Sequence, residues 1–226
     1  MIKNQVTAIN VDFLENPGCF RRWYEKMPSY RQKKIDAFKP APSKKLCLGA
    51  GILLYMGFKE LGLEKAEIEF GKNDKPFIKG NSEIYFNLSH SGSMAVCAIS
   101  DKNVGIDIEE NKIFSEKLIN YIYNEKETNY IKGIALDQKK ENKMFTKLWT
   151  MKESLMKYDG TGLSMGPSSI IIDMENGSFY LKNGVKFENV FFTSYELLDY
   201  QVSVCSEYDC FSEQIKIYRG EELLLC

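Results

Sequence analysis

One order of elements is written twice along this chain, and that order limits the folds open to it. In the first half a helical run, Leu48-Gly49-Ala50-Gly51-Ile52-Leu53-Leu54, leads through short strand-like segments to Ser93-Met94-Ala95-Val96-Cys97-Ala98-Ile99-Ser100. In the second, Leu148-Trp149-Thr150-Met151-Lys152-Glu153-Ser154-Leu155 leads through strand-like segments to Tyr200-Gln201-Val202-Ser203-Val204-Cys205-Ser206. A helix followed by hairpins is a common order, which is the plainer account of the likeness. Read as a duplication, it predicts an α+β protein of two similar α/β halves, 1–104 and 105–226, related by a pseudo-twofold axis. Two such halves leave a cleft between them, a usual place for a ligand, and the active site is expected there.

Periodicity fills in the elements. Helices are expected over Cys19–Phe38, Lys45–Leu61, Phe114–Ile134 and Lys139–Tyr158. Lys39-Pro40-Ala41-Pro42 separates the first two, since proline blocks a helix interior and restricts the residue before it. Strands are expected over Met1–Phe13, Ala66–Phe70, Pro76–Ile78, Ile84–Leu88, Met94–Ser100, Val104–Glu109, Ile170–Asp173, Phe179–Leu181, Phe191–Leu197 and Tyr200–Ser206.

Composition removes several function classes. Lys+Arg is 30 and Asp+Glu 31 over 226 residues, a net charge of −1. A protein that covers many phosphates of a nucleic acid needs a large basic excess, so that class is not expected. No run approaches the ~20 apolar residues of a membrane span, and the N-terminus lacks a secretory pattern. A cytoplasmic protein is expected, with Cys19, Cys47, Cys97, Cys205, Cys210 and Cys226 as reduced thiols. None of these forms a C-x-x-C pair, so a structural zinc site is not expected. The single histidine, His90, excludes metal sites built from several imidazoles.

Four groups of residues carry chemical potential. In Gly105-Ile106-Asp107-Ile108-Glu109, strand alternation puts both carboxylates on one face and both isoleucines on the other. Paired carboxylates repel unless a cation holds them, and a hard divalent ion such as Mg²⁺ prefers oxygen ligands. A solvated strand end is the alternative. In the helix around Trp149, the residues Trp149, Glu153 and Lys157 share one stripe beside an apolar stripe of Leu148, Met151 and Leu155. Glu153 and Lys157 are either a surface ion pair or a metal ligand or base with a phosphate contact. Asn87-Leu88-Ser89-His90-Ser91-Gly92-Ser93 reads as a small-residue turn whose N–H groups, with His90, suit a phosphate. Arg31, Lys33, Lys34, Lys39, Lys44 and Lys45, with Lys75 before Pro76, form either a solvated face or an anion site.

These segments occur in the order Lys75-Pro76, Ser89-His90, Gly105-x-Asp107-x-Glu109 and Trp149-x-x-Lys152-Glu153-Ser154-x-x-Lys157. In that order the chain resembles the 4′-phosphopantetheinyl transferases, specifically their larger, surfactin-synthetase-activating type, over nearly its whole length. The family's G-x-D-x-E strand and W-x-x-K-E-(S/A)-x-x-K helix are both complete.

The resemblance implies a holo-acyl-carrier-protein synthase. Such an enzyme moves 4′-phosphopantetheine from coenzyme A to a serine of an acyl or peptidyl carrier protein and releases 3′,5′-ADP. It implies Mg²⁺ held by Asp107, Glu109 and Glu153, with Glu153 or a metal-bound water taking the serine proton. Lys157 would neutralise charge on the phosphates or leaving group. Ser89 and His90 would contact the 3′-phosphate or pyrophosphate, Lys75 the nucleotide end, and Arg31 and Lys34 the 3′-phosphate. Peptide, polyketide and antibiotic synthesis are the settings implied, with a monomer as the working state. Two departures stand out. Asn73-Asp74-Lys75-Pro76 stands where the family often has G-K-P, which changes the turn but keeps the lysine, and Pro40 and Pro42 interrupt the basic segment, so Lys44 or Lys45 are alternatives to Arg31 or Lys34. Glu127 stands where the family sometimes has another acid, and is otherwise a plain helix residue.

Carrier docking is expected over Lys112–Ile131, where Phe114, Leu118, Ile119, Ile122 and Tyr123 offer apolar side chains, unless these only fill the core. Two rivals share the same residues. One is a Mg²⁺-dependent hydrolase of coenzyme A or a nucleotide pyrophosphate, and the other a non-catalytic coenzyme A-binding module.

Overall fold

Alternation along a strand sends neighbouring side chains to opposite faces, and here the two faces meet different partners. The computed structural model describes residues 4–174 and 177–224. Strand β1 (Gln5–Asn10) leads to helices α1 (Pro17–Lys26), α2 (Ser29–Ala37) and α3 (Ala41–Glu60). A small ribbon of β2 (Ile68–Phe70) and β3 (Pro76–Ile78) follows, then β4 (Tyr85–Ser91), β5 (Met94–Ser100) and β6 (Val104–Glu110). Helices α4 (Glu116–Ile122), α5 (Glu125–Ile134) and α6 (Gln138–Asp159) come next. The chain closes with the ribbon β7 (Ile170–Asp173) and β8 (Ser178–Leu181), then β9 (Phe191–Leu197), β10 (Tyr200–Ser206), β11 (Lys216–Tyr218) and α7 (Gly220–Leu224).

Two larger sheets result, ordered β11-β1-β5-β4 and β6-β10-β9. All neighbours in them are antiparallel except β11, which runs parallel to β1. The strand orders β1-β5-β4 and β6-β10-β9 therefore arise from two chain segments that run in the same sequence of elements. One face of each sheet contributes to a shared apolar cluster: Val6, Ala8, Val96 and Ala98 from one, Ile106, Ile108, Val202 and Val204 from the other. The alternate residues Ile9, Cys97 and Ile99 pack with Leu48, Ile52 and Leu53 of α3. Cys205 on the far side packs with Leu148, Met151 and Leu155 of α6. The α+β class follows from this mixture, and the carboxylates of β6 are left facing α6.

Local chemistry explains the differences from the expected elements. The helix expected over Cys19–Phe38 is two helices, because Pro28 holds Met27 extended, at φ −75° and ψ 143°. The helix expected over Phe114–Ile134 is also two. Tyr123 is extended, and Asn124 starts α5 with a capping box in which Glu127 answers the Asn124 N–H. Pro42 lies in the first turn of α3, where its missing N–H costs nothing, so that helix begins at Ala41 rather than Lys45. The turn expected around Ser89 and His90 is strand: β4 runs on to Ser91, and the turn is confined to Gly92, at φ 57°, and Ser93. Strand β11 and helix α7 had no expectation. Residues 1–3 of the expected first strand, and Cys226, lie outside the described residues. The other five cysteines carry free thiols. Among the described residues no helix is long and apolar enough to cross a membrane.

The docking residues expected on Lys112–Ile131 are corrected by their burial. Phe114, Ile119, Ile122 and Tyr123 are buried in the cluster beneath α6. Phe114, Tyr123 and Phe145 pack ring against ring, and the Tyr123 hydroxyl donates to the Phe145 carbonyl. The large apolar side chains this region exposes are Ile113, Tyr121 and Tyr130.

Candidate active site

The site is built on a seam between sheets. Edge strands β4 and β6 are joined by side chains that alternate along β4. Asn87 Oδ1 accepts the Ile106 N–H at 3.1 Å, Ser89 Oγ donates to Asp107 Oδ1 at 2.8 Å, and Ser91 Oγ donates to Glu109 Oε2 at 2.9 Å. Every second residue of β4 from Asn87 to Ser91 thus holds β6, and Ser89 and Ser91 fix its two carboxylates.

Gly105 brings the third element in. A Cβ at this position would run into the backbone of Ser154 and Tyr158, so α6 packs against β6 at backbone contact. Only glycine permits such an approach inside a strand. The helix is anchored at its start by Asp137, whose side chain accepts the Lys140 N–H, and ends at Gly160 in the left-handed region. Its stripe of Trp149, Glu153 and Lys157 then overlies the β6 carboxylates. Trp149 Nε1 donates to Glu109 Oε1 at 3.3 Å, and Lys157 Nζ donates to Asp107 Oδ1 at 2.6 Å and Ser89 Oγ at 2.8 Å. Lys112 adds an ion pair to Glu109 at 3.4 Å.

Burial and charge set the ionisation of this group. Burial pushes the Asp107 carboxyl up, and the Lys157 ammonium and Ser89 hydroxyl pull it back. Glu153 is pushed up to about 7, first by burial, then by the negative Asp107 and Glu109, against the opposing pull of Lys157. Its carboxylate makes no hydrogen bond or ion pair among the described residues. A carboxyl poised near neutrality can both hold and give up a proton at working pH. Asp107 Oδ2 is buried and has no hydrogen-bond partner, an uncommon condition for a buried carboxylate oxygen. Three carboxylates with one unpartnered buried oxygen form a donor set suited to a hard divalent cation. Among the described residues no three acidic, histidine or cysteine side chains stand close enough together to hold a metal ion as they are arranged.

The seam opens into a cavity of about 240 Å³ lined by Arg31, Lys34, Cys47, Lys75, His90 and Lys157 among others. Gly51 of α3 allows α2 to pack close, since a Cβ there would stand 2.8 Å from Met27 Sδ and 3.2 Å from Arg31 Cγ. Arg31 is thereby buried with its Nε unpartnered. The His90 imidazole is held below its ordinary value, first by desolvation and then by the positive charges of Lys157, Lys34 and Arg31. The lining is cationic and suits a phosphate.

Other expected residues are placed differently. Lys75 lines the cavity, but its ammonium donates to the Tyr158 carbonyl at 2.6 Å and to Asn103 Oδ1 at 2.7 Å, tying the β2–β3 ribbon to the end of α6. Burial lowers it to about 8. Lys45 is paired with Glu15 at 2.9 Å. Glu127 is buried and paired with Lys152 at 2.7 Å, and also accepts the Ile172 N–H. Sequence reasoning missed Asn87, Ser91 and Lys112 as supports of the carboxylates. The signal for the first two was the polar alternation Asn87, Ser89, Ser91, which reads as one face of a strand.

Comparison with known proteins agrees with the motif order. The family model of the 4′-phosphopantetheinyl transferase superfamily matches residues 103–205, which include β6, α6 and all of β10 but its last residue. The 4′-phosphopantetheinyl transferase Sfp of Bacillus subtilis (strain 168) is 28% identical over 87% of this chain and 89% of its own length. Another 4′-phosphopantetheinyl transferase of Bacillus subtilis is 30% identical over 86% of this chain and 88% of its own length. The 4′-phosphopantetheinyl transferase gsp of Aneurinibacillus migulanus is 35% identical over 65% of this chain and 61% of its own length. With this extent of identity added to the seam geometry, the chain belongs to the 4′-phosphopantetheinyl transferase superfamily.

Proposed function

We propose that this protein transfers 4′-phosphopantetheine from coenzyme A to the serine hydroxyl of an apo acyl or peptidyl carrier protein, giving holo-carrier and 3′,5′-ADP. The observation that carries the reading is the meeting of Asp107, Glu109 and Glu153 with Lys157, which itself lines a cationic cavity. The serine oxygen forms a bond to the phosphorus that bears pantetheine, and the bridging P–O bond to the adenosine 5′-phosphate breaks. Glu153, poised near neutrality, takes the serine proton. Lys157 neutralises charge on the departing phosphate, where charge grows most in the transition state. Arg31, Lys34 and His90 receive the 3′-phosphate, with Ser89 fixing Asp107 and Lys157. Lys75 holds the β2–β3 ribbon along the nucleotide's edge. Asp107, Glu109 and Glu153 would hold Mg²⁺, which supplies further charge neutralisation at the pyrophosphate.

The halves 1–104 and 105–226 supply the two sides of the cleft as a pseudo-twofold pair, with β11 crossing back to the first sheet. A monomer then suffices, and a cytoplasmic enzyme serving peptide or polyketide synthesis is the setting the reading favours. For the carrier, the exposed Ile113 and Tyr121 beside Lys112 and Lys117 replace the buried Ile119 and Tyr123 as docking side chains. Tyr121→Glu is expected to raise KM for the carrier several-fold and leave coenzyme A binding unchanged, measured by steady-state kinetics and calorimetry.

The reading is tested by the intact mass of an apo carrier after incubation with this protein, coenzyme A and Mg²⁺. A gain of one phosphopantetheine, abolished by a chelator, is the expected result. Coenzyme A cleaved without carrier modification would point to the hydrolase. Coenzyme A bound and left intact with every carrier would point to the binding module.

A further inference from the structure

Lys157 stands in a position that a phosphate contact alone does not require. Its ammonium lies 2.6 Å from Asp107 Oδ1 and 2.8 Å from Ser89 Oγ, and Ser89 Oγ lies 2.8 Å from the same Asp107 oxygen. The three groups form a closed triangle in which the lysine is, among the described residues, the sole cation paired to a carboxylate that is 4% exposed. The other oxygen of that carboxylate, Oδ2, is buried without a partner. The lysine side chain is itself 26% exposed, at the edge of the cationic cavity, so its ammonium has an outlet that the buried carboxylate lacks.

We propose that the Lys157 ammonium and a divalent cation compete for Asp107, so that cation binding turns Lys157 out toward the phosphates of the nucleotide. The proposal rests on the reading of Asp107, Glu109 and Glu153 as the cation's ligands. Its physical basis is charge balance. A buried carboxylate needs a positive partner, and two cations at one carboxylate oppose each other at close range. A phosphate in the cavity gives the displaced ammonium a new partner. Cation and nucleotide then favour each other's binding beyond any direct contact between them, and the coupling is reciprocal. The same exchange keeps Asp107 compensated before the cation arrives, which a site of three unshielded carboxylates would not achieve.

The test uses the full-length protein and Mn²⁺ as probe, with affinity read from the electron paramagnetic resonance signal of free Mn²⁺ at pH 8, without nucleotide. Lys157→Met is expected to bind Mn²⁺ about fivefold or more tightly than the wild type, the low end of common coupling strengths. Lys157→Arg keeps the charge and is expected to bind no more tightly than the wild type. Equal or weaker binding by Lys157→Met overturns the proposal. A second readout needs no variant: acetylation of Lys157 by an amine reagent, measured by peptide mass, is expected to rise on adding Mg²⁺ and to fall again when 3′,5′-ADP is added. Labelling indifferent to Mg²⁺ overturns the proposal even if Lys157→Met does not fold. A wild type that binds no Mn²⁺ in the millimolar range overturns both the proposal and the metal reading. Normal carrier modification with equal Mn²⁺ affinities overturns the proposal alone.

Discussion

Two lysines of α6, five residues apart, make the same kind of pair and serve different ends. Lys152 is fully buried, and its ammonium has three partners: Glu127 Oε2 at 2.7 Å, the Ile122 carbonyl at 2.9 Å and the Pro167 carbonyl at 3.2 Å. Glu127 in turn accepts the N–H groups of Asn124 and Ile172. The knot joins the end of α4, the start of α5, α6 and β7, with both Glu127 oxygens partnered and almost no access for solvent. Lys157, one and a half turns on, is partly open, and its partner Asp107 keeps one buried oxygen unused. A closed pair has no capacity left for chemistry. An unfinished pair beside a cavity does, and in the proposed function incompleteness separates the reactive end of the helix from its structural end.

The largest effect should come from breaking the closed pair. Lys152→Met strands the Glu127 carboxylate among apolar neighbours and is expected to cost about 3–5 kcal/mol, the usual penalty for removing one partner of a buried pair. Urea unfolding of the variant measures it, and removing Glu127 as well, as Lys152→Met with Glu127→Leu, should recover part of the loss.

A smaller loss is expected at the contact that brings the open pair together. Gly105→Ala pushes a methyl group into the backbone of Ser154 and Tyr158 and should cost about 1–3 kcal/mol, as overpacking does. Because the shift moves α6 off β6, turnover per folded molecule should fall too, whereas Lys152→Met should leave turnover per folded molecule largely intact. Equal per-molecule activities in the two variants would remove the distinction between the two ends of α6.

The pH dependence is finer still. Glu153 has its folded value raised from 4.5 to about 7, so the folded protein favours the protonated form. Its stabilising contribution is complete below about pH 4.5 and is lost as pH rises through about 7. The difference in melting temperature between wild type and Glu153→Gln should therefore move against the wild type from pH 5 to pH 8 in the absence of divalent cation. A flat difference would show that the carboxyl is not raised.

Most of this contrast was legible where the pattern is local. The alternation Gly105-Ile106-Asp107-Ile108-Glu109 and the spacing of Trp149, Glu153 and Lys157 depend on strand and helix geometry alone, and both stand as read. The breaks at Met27-Pro28 and Tyr123-Asn124 were also written in the chain, as a proline and an Asn-x-x-Glu capping box, but apolar spacing runs through both and overrode them. Ser89 and His90 looked like a turn because small polar residues favour turns. Pairing with β5 and the side-chain bonds to β6 hold them in a strand instead. Ile119 and Tyr123 show the limit of composition: apolar residues on a short amphipathic helix do not say which side meets the core. Strand β11 pairs with β1 across some two hundred residues, and three residues carry too little pattern to announce that. Glu127 as a structural rather than reactive acid required knowing that Lys152 points to it.

The most direct test of the account is the single-turnover rate of carrier modification by Glu153→Gln, measured on protein whose melting curve shows it folded. The account predicts a rate lowered by about 10²–10⁴, the usual contribution of a general base, with a melting temperature at or above that of the wild type. A folded Glu153→Gln that modifies the carrier at the wild-type rate would contradict it.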